Sequence, residues 1–235
     1  MARRRLRSGC LPAERSTAME KLVSGHNISH STPLDVLPGV QLWPERLDRG
    51  KQTSLAAEII RLTSTAPFYR PQMPGSGKPF SVEETNLGEL GWISDRTGYR
   101  YETLHPVTGN PWPPLPAPLQ ELWSALTNYP APPQCCLVNL YREGARMGLH
   151  QDRDESARDA PVLSVSLGDD AVFRIGGSSR RGPTKSIRLR SGDVVVFGGP
   201  ARLAFHGIDR IIPRTSQIIT GGGRINLTLR RVTVA

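Results

Sequence analysis

Apolar residues recur at helical spacing in two stretches of the first half of the chain. Residues 53–62, TSLAAEIIRL, place three apolar side chains on one face, and Thr53 or Ser54 is the predicted N-cap. Residues 117–127, APLQELWSALT, follow the i, i+3, i+4, i+7 pattern, with Pro118 near the start. The pattern therefore predicts two amphipathic helices ahead of the second half of the chain.

After these helices the pattern changes to short apolar runs separated by Gly, Pro or Asp-Asp turns. SVSLGDDAVFRI resembles a hairpin, and a further strand pair is predicted around residues 88–101. Many short strands with such turns indicate an antiparallel sandwich or barrel. The predicted strands cover residues 134–141, 162–168, 171–176, 185–190, 193–198, 202–208 and 224–232.

The last of these strands, GRINLTLRR, has one apolar and one strongly polar face. Side chains alternate along a strand, so Arg224, Asn226, Thr228 and Arg230 share a face. One interpretation is an edge facing water. The other is an inward face that binds something anionic.

Composition favours one large domain and a polyanionic partner. The chain has 235 residues, 23 Gly, 21 Pro and a net charge of +9, a sign that suits nucleic acid first and an acidic membrane surface second. Its three cysteines form no CxxC pair, which fits a reducing compartment such as the cytoplasm. No apolar run approaches the length of a membrane helix. We expect a basic, weakly ordered leader over residues 1–32, with an organelle transit peptide as the alternative, and a single domain over 33–235.

A histidine and a carboxylate lie two residues apart in the stretch NLYREGARMGLHQDRDE. His150 and Asp152 leave a strand-like segment on the same side, and His206 lies in a later predicted strand. Two histidines and one carboxylate are the protein ligands of the facial triad that binds non-haem Fe(II). Taken alone, an HxD pair and a distant histidine are more often unrelated residues.

Such iron sites often use 2-oxoglutarate, a dicarboxylate that chelates the metal. Arg224 and Arg230 could clamp it, because guanidinium groups match carboxylates in geometry and charge. Asn139 and Tyr141 could add neutral hydrogen bonds. Taken alone, the arginines would face solvent, Asn139 would be an edge residue and Tyr141 a core aromatic.

With these motifs the sequence resembles the AlkB family of Fe(II)- and 2-oxoglutarate-dependent nucleic-acid dealkylases. The resemblance covers roughly residues 35–232 and rests on NLYREGARMGLHQDRDE, SGDVVVFGGPARLAFHGI and RINLTLR in the family's order. It implies a mainly β fold, a double-stranded β-helix (jelly-roll) core with flanking helices, and a substrate-facing lid over about residues 71–116. It also implies that Fe(II) is bound by His150, Asp152 and His206.

The same resemblance implies how the co-substrate and the substrate are held. Arg224, Tyr141 and Asn226 would bind the distal carboxylate of 2-oxoglutarate, Arg230 and Asn139 its chelating end, and Thr228 belongs to the same site. O2 is consumed, succinate and CO2 form, and an N-alkyl carbon is hydroxylated and lost as formaldehyde. The substrate would be N1-methyladenine or N3-methylcytosine in DNA or RNA, flipped out of its helix. Its predicted contacts are Trp92, Tyr99, Tyr101, Asp154 and Arg180.

One stretch departs from the family pattern. Glu83 and Glu84 occupy a lid segment that is more apolar in some members, and negative charge near a phosphate path would disfavour duplex DNA relative to single strands or RNA.

Two other functions stay open. One is an enzyme of the same chemistry that acts on a protein or a small molecule. The other is a non-enzymatic nucleic-acid binder on the same scaffold. We expect a monomer that does not associate with membranes, while the preferred lesion and strand type are left open by the sequence.

Overall fold

The computed structural model describes Met1 and residues 32–234, so the predicted leader lies almost wholly outside the described residues. Within the described part, two α-helices precede most of the strands, and a 3₁₀ turn spans Gly199–Ala201. The helices are α1 (Arg49–Leu62) and α2 (Ala117–Thr127). The strands are β1 (Leu34–Leu37), β2 (Val40–Trp43), β3 (Glu83–Gly88), β4 (Gly91–Asp95), β5 (Gly98–Glu102), β6 (Cys135–Tyr141), β7 (Met147–His150), β8 (Val162–Gly168), β9 (Asp170–Gly176), β10 (Thr184–Leu189), β11 (Val194–Phe197), β12 (His206–Ile212) and β13 (Arg224–Arg230).

Two antiparallel sheets form the jelly-roll core. The major sheet has the order β1-β2-β11-β8-β13-β6-β3, and the minor sheet has the order β10-β9-β12-β7. Strands β4 and β5 form a separate hairpin. The mainly β fold with a jelly-roll core is therefore confirmed.

Each face of the major sheet is covered by a different layer. On the outer face, Leu119, Trp123 and other apolar residues of the two helices pack against β6, β8 and β13, through side chains such as Val138 and Leu227. On the inner face, Phe197 and its neighbours pack against residues of the minor sheet, such as Phe173. The helices thus cover one side of the sheet and leave the space between the sheets for a site.

The sequence prediction was accurate where packing follows local periodicity. Helix α2 spans the predicted residues 117–127, and the pair β4–β5 covers residues 91–102, close to the predicted 88–101. Helix α1, however, begins at Arg49, and its N-cap is Asp48, whose Oδ1 accepts from the Lys51 backbone N–H at 2.9 Å. Thr53 and Ser54 are therefore not the cap. The first turn is polar, so the apolar pattern could not mark it.

The predicted hairpin SVSLGDDAVFRI is wrong. Strand β8 pairs with β11 and β13 in the major sheet, whereas β9 pairs with β10 and β12 in the minor sheet. The buried Asp169 between them does not close a tight turn; its carboxylate accepts backbone N–H groups from Thr215, Ser216 and Gly223 at 2.9–3.0 Å. The chain thus crosses from one sheet to the other at the Asp-Asp pair, and Asp169 hydrogen-bonds the segment that leads into β13.

Other boundaries also differ from the predictions. The strand predicted over residues 202–208 begins only at His206 and continues to Ile212. Strands β1, β2 and β3 were not predicted, because β1 and β2 are four residues long and β3 reads EETNLG, which has no apolar alternation. Among the described residues, no helix is both long and apolar enough to cross a membrane.

A buried arginine fixes the segment that follows β7. Arg202 donates from Nε to the Ala160 carbonyl at 2.7 Å and from Nη1 to the Asp152 carbonyl at 2.6 Å. Its Nη2 forms an ion pair with Glu155 at 3.0 Å, and both side chains are buried. Arg202 therefore joins the turn before β12 to the backbone of residues 152–160.

We expect Arg202→Met to lower the free energy of unfolding by ~3–5 kcal/mol, because a buried carboxylate and two backbone carbonyls lose the donor that Arg202 provides. Arg210→Met is the matched control, since Arg210 pairs with Asp209 at the surface and its side chain is 66% exposed. Its loss should stay within about 0.5 kcal/mol. Chemical denaturation measures both, and equal losses in the two variants would contradict the proposed role of Arg202.

Candidate active site

The polar face of β13 points into the space between the two sheets. Arg224, Asn226, Thr228 and Arg230 are each at most 8% exposed. The adjacent residues Ile225, Leu227 and Leu229 belong to the core under the helices. Burial therefore excludes the interpretation of a solvated edge.

The three predicted metal ligands converge at one end of this space. His206 on β12 lies directly opposite His150 on β7, and Asp152 follows two residues later. The distance from Asp152 Oδ1 to His150 Nε2 is 3.7 Å, and to His206 Nε2 it is 3.9 Å. One ligand atom from each residue lies within 4.8 Å of the others, a spacing that one metal ion can bridge.

Backbone carbonyls orient both imidazoles. His150 Nδ1 lies 2.9 Å from the Gly148 carbonyl, and His206 Nδ1 lies 3.0 Å from the Ala204 carbonyl. With each Nδ1–H donating, each Nε2 keeps its lone pair for a metal. Burial, together with His150, lowers the pKa of His206 to about 4, so its ring is neutral at neutral pH, which is the ligand form.

Arg230 holds the carboxylate of the triad. Its Nε donates to Asp152 Oδ2 at 3.0 Å, and its Nη2 lies 2.9 Å from Asp152 Oδ1. Burial opposes ionisation of Asp152, but Arg230 and the two histidines outweigh it, and the pKa of Asp152 falls below its usual range. The sequence predicted Arg230 as a ligand of 2-oxoglutarate only, and the structure adds this bidentate contact with a metal ligand.

A second buried carboxylate supports the first. Glu155 pairs with Arg202 and lies 3.6 Å from Arg230 Nε, and it accepts the hydroxyl of Tyr101. Sequence reasoning missed Glu155 and Arg202, because each is a charged residue in a charged or turn-like stretch. Only their burial identifies them as supports of the metal site.

An inner cavity between the sheets contains an unsatisfied cation. Nε and Nη1 of Arg224 have no hydrogen-bond partner among the described residues, although the side chain is 1% exposed. Burial lowers the pKa of Arg224 to about 10, so it stays charged at neutral pH. Asn139 Oδ1 is also buried without a partner, and Tyr141 lines the same cavity. A buried, unpaired guanidinium requires an anion, which fits a carboxylate of 2-oxoglutarate.

Asn226 and Thr228 are already engaged with each other. Asn226 Nδ2 donates to Ser164 Oγ at 2.7 Å and to the Val165 carbonyl at 3.1 Å, while its Oδ1 accepts from Thr228 Oγ1 at 3.0 Å. Both line the inner cavity, so they shape it beside Arg224.

An outer cavity of about 380 Å³ adjoins the metal ligands. Trp92 and Tyr99 form one wall, stacked with ring centroids 5.4 Å apart and planes 20° apart. Trp92 Nε1 donates to Asp154 Oδ2 at 2.9 Å, and Arg180 also lines the cavity. The structure thus brings four of the five predicted substrate contacts to one cavity.

Tyr101 does not line that cavity. Its hydroxyl points into the buried network of Glu155 and Arg230, and its pKa is raised well above its ordinary value, mainly by burial. Glu83 and Glu84, the two acids that depart from the family pattern, lie in different surroundings. Glu83 pairs with Arg70 at 2.9 Å, while Glu84 is 0% exposed and lines the outer cavity. The idea that both lie along a phosphate path is wrong for Glu84.

Comparisons with known proteins identify the family of the chain. Residues 39–230 match the model of the 2OG-Fe(II) oxygenase superfamily. The chain is 57% identical to an alpha-ketoglutarate-dependent dioxygenase AlkB homolog of Caulobacter vibrioides, over 86% of this chain and 92% of that protein. It is 39% identical to the alpha-ketoglutarate-dependent dioxygenase AlkB of Escherichia coli, over 84% and 97% of the two chains. The structure of OsALKBH1 superposes with a TM-score of 0.73 at 29% identity, over 85% of this chain and all of that one. The chain therefore belongs to the AlkB family of Fe(II)- and 2-oxoglutarate-dependent dioxygenases.

Proposed function

We propose that this enzyme removes N-alkyl groups from bases such as N1-methyladenine and N3-methylcytosine in DNA or RNA. One observation carries the proposal: the metal ligands His150 and Asp152 line the same cavity as the stacked pair Trp92 and Tyr99. Stacked aromatic side chains offer a planar base a surface, and an adjacent metal site offers it oxidation. A base in a helix reaches such a cavity only by flipping out.

The residues present fit Fe(II) and 2-oxoglutarate. His150, Asp152 and His206 would hold the metal, and Arg224, with Tyr141, would hold the distal carboxylate of the co-substrate. Arg230, which pairs with the metal ligand Asp152, would contact the chelating end of the co-substrate together with Asn139. Bound together with O2, iron and 2-oxoglutarate supply the oxidation that converts an N-alkyl carbon to a hemiaminal, with succinate and CO2 as the other products.

The chain's own groups do the positioning. Arg230 keeps Asp152 ionised and fixed, and the two backbone carbonyls, by accepting from Nδ1, would leave both Nε2 atoms free to bind the metal. Trp92, held by Asp154, would cover one face of the base, and His150 would lie on the other side. The hemiaminal then breaks its C–N bond, and formaldehyde leaves the restored base.

An enzyme that acts on a protein or a small molecule would use the same metal and co-substrate. Only the outer cavity, which would hold the substrate, can therefore distinguish that alternative from nucleic-acid dealkylation. Its stacked aromatic wall and the net charge of +9 favour nucleic acid. A non-enzymatic binder would need neither the triad nor a buried, unpaired Arg224.

We further propose that the enzyme acts as a monomer in the cytoplasm. Triad, arginines and aromatic wall all come from one chain. Cys135 and Cys136 are free thiols in the core, which suits a reducing compartment.

A panel of single- and double-stranded DNA and RNA oligonucleotides, each with one methylated base, tests the proposed function by mass. We expect loss of the methyl group and release of formaldehyde with the wild type. His206→Ala should lower turnover by more than about a hundredfold. Loss of a group that only hydrogen-bonds a metal ligand already costs up to about a hundredfold, and loss of the ligand itself should cost more. Asp209→Ala, at an exposed carboxylate, is the control and should retain full activity. No demethylation of any oligonucleotide by an enzyme that decarboxylates 2-oxoglutarate would point instead to a protein or small-molecule substrate.

Arg224→Ala should weaken the binding of 2-oxoglutarate more than the binding of nucleic acid. Removing one charge-assisted contact costs ~1.5–3 kcal/mol, or roughly a ten- to hundredfold rise in the KM for the co-substrate. Titration of 2-oxoglutarate at saturating oligonucleotide measures this rise, with Arg210→Ala as the control. An unchanged co-substrate dependence would remove Arg224 from the binding site.

Asp154→Ala should slow dealkylation of cationic bases more than it slows substrate-free decarboxylation of 2-oxoglutarate. The substitution removes a negative charge from the cavity. It also removes the hydrogen bond by which Asp154 anchors the Trp92 indole. The expected loss in kcat/KM is roughly ten- to a hundredfold, from a contact worth ~1.5–3 kcal/mol. Both reactions are measured side by side; equal losses would mean that Asp154 supports the iron site or the fold.

A further inference from the structure

Glu84 is a buried acid on the edge strand of the major sheet. On β3 it lies directly opposite Asn139 of β6, which in turn lies opposite Asn226 of β13. Residues directly opposite one another share a face of a sheet, so Glu84 faces the interior with these two amides. Two backbone hydrogen bonds with Tyr69, of 2.8 and 2.9 Å, fix its position.

The carboxyl group of Glu84 has no partner of its own. Neither oxygen has a hydrogen bond among the described residues, although the residue is 0% exposed. Burial, partly offset by Arg230, raises the pKa of Glu84 to about 8. Buried carboxyl groups are normally hydrogen-bonded, so this group calls for a partner that the described residues do not supply.

The missing partner belongs in the outer cavity. Glu84 lines the cavity of Trp92, Tyr99 and the metal ligands, whereas it is not among the residues that line the inner cavity of Arg224. From the elements packed against it, the titratable or charged groups that face Glu84 are Tyr69, Tyr141 and Arg230. Across the cavity lie Tyr99, His150, Asp152, Asp154 and Glu155, with Arg153 and Arg180 in its exposed part.

We propose that Glu84 is a specificity-determining residue that contacts the exocyclic group of the flipped base. As an acid it donates a hydrogen bond to a carbonyl, and as a carboxylate it accepts one from an amine. The proposal rests on the proposed function and adds a residue that selects among alkylated bases.

The chemistry of the bases divides them into two classes that suit these two states. N1-methyladenine and N3-methylcytosine carry an amine beside the alkylated nitrogen and a positive charge, so they suit the carboxylate. At the ring position of that amine, N1-methylguanine and N3-methylthymine carry a carbonyl instead and are neutral, so they suit the acid. N1-methylguanine also keeps an exocyclic amine, but on the other side of the alkylated nitrogen. A cationic base favours the ionised form of a nearby carboxyl group, so its binding should release a proton from Glu84.

The sign of the pH dependence follows from the raised pKa. Below about pH 8 the acid predominates and carbonyl-bearing bases gain a donor; above it the carboxylate predominates and cationic bases gain an acceptor. The ratio of kcat/KM for N1-methyladenine to that for N1-methylguanine should therefore rise with pH.

The test measures that ratio in single-stranded oligonucleotides between about pH 6.5 and about pH 9. Over this interval we expect the ratio for the wild type to rise by about tenfold more than the ratio for Glu84→Gln. That difference is typical of one charge-assisted hydrogen bond. Glutamine keeps a donor and an acceptor but does not titrate, so its profile records any titration of the lesions themselves. Glu83→Gln is the matched control, because the adjacent Glu83 pairs with Arg70 outside the cavity, and it should follow the wild type.

Glu84→Met provides a second variant without donor or acceptor. We expect it to lower kcat/KM by about tenfold for N1-methylguanine at the acidic end of the range and for N1-methyladenine at the alkaline end, where Glu84 is in the matching state. The variant should show no pH response beyond that of the glutamine variant, and its KM for 2-oxoglutarate should be unchanged. Thermal unfolding of each variant checks that it is folded.

The outcomes separate the two proposals. The wild type could demethylate both lesions while its activity ratio depends on pH in the same way as that of Glu84→Gln. This result would overturn the role of Glu84 but not the proposed function. A rise in the KM for 2-oxoglutarate in the Glu84 variants, equal with both lesions, would also overturn it and place the residue with Asn139 at the co-substrate. Decarboxylation of 2-oxoglutarate without demethylation of either oligonucleotide would overturn the proposed function and, with it, the role of Glu84.

Discussion

The buried ion pair between Arg230 and Asp152 holds the site together. Arg230 comes from the major sheet, whereas Asp152 follows β7 of the minor sheet, so the pair links the two sheets where the histidines meet. A buried pair of charges is costly to desolvate and is stable only with good geometry and further hydrogen bonds. Here both nitrogen–oxygen distances are close to 3 Å, and Glu155, Tyr101 and Arg202 extend the network. The same contact keeps Asp152 ionised, which a metal ligand requires.

The other end of β13 shows the opposite condition. Arg224 lies on the same face as Arg230, yet two of its nitrogens have no partner within the described residues. Both arginines are buried, so the difference is one of pairing and not of exposure. An arginine whose pair is internal fixes structure, and one whose pair is missing favours binding of an anion. One strand can therefore position a metal ligand at one end and recognise a co-substrate at the other.

The sequence predicted those features that depend on local spacing. Helix α2 and the two faces of β13 could be read from periodicity and residue type. The triad was only one interpretation of its spacing, and the family resemblance supplied both its assignment and the jelly roll. Which face of β13 is inside could not be read, because alternation defines two faces without saying what covers either. The hairpin error around Asp169 has the same origin: strand pairing depends on residues far along the chain. Glu84 shows this most clearly, since its polar stretch resembles a solvated loop until the register with Asn139 places it inside.

Three of the four carboxyl groups that line the outer cavity illustrate how environment divides their roles. Asp152 is buried against Arg230 and two histidines, which keep its pKa low and make it suitable for a metal. Asp154 is exposed and accepts from the Trp92 indole, so it can orient the aromatic wall. Glu84 is buried without a hydrogen-bonding partner, so its pKa is raised toward the range in which a proton can be gained or lost on binding. Because the groups are chemically alike, their different surroundings alone separate a metal ligand, an anchor for the wall and a group that can respond to the charge of the base. Burial between the sheets creates the environments of Asp152 and Glu84, whereas Asp154 keeps its exposure to solvent.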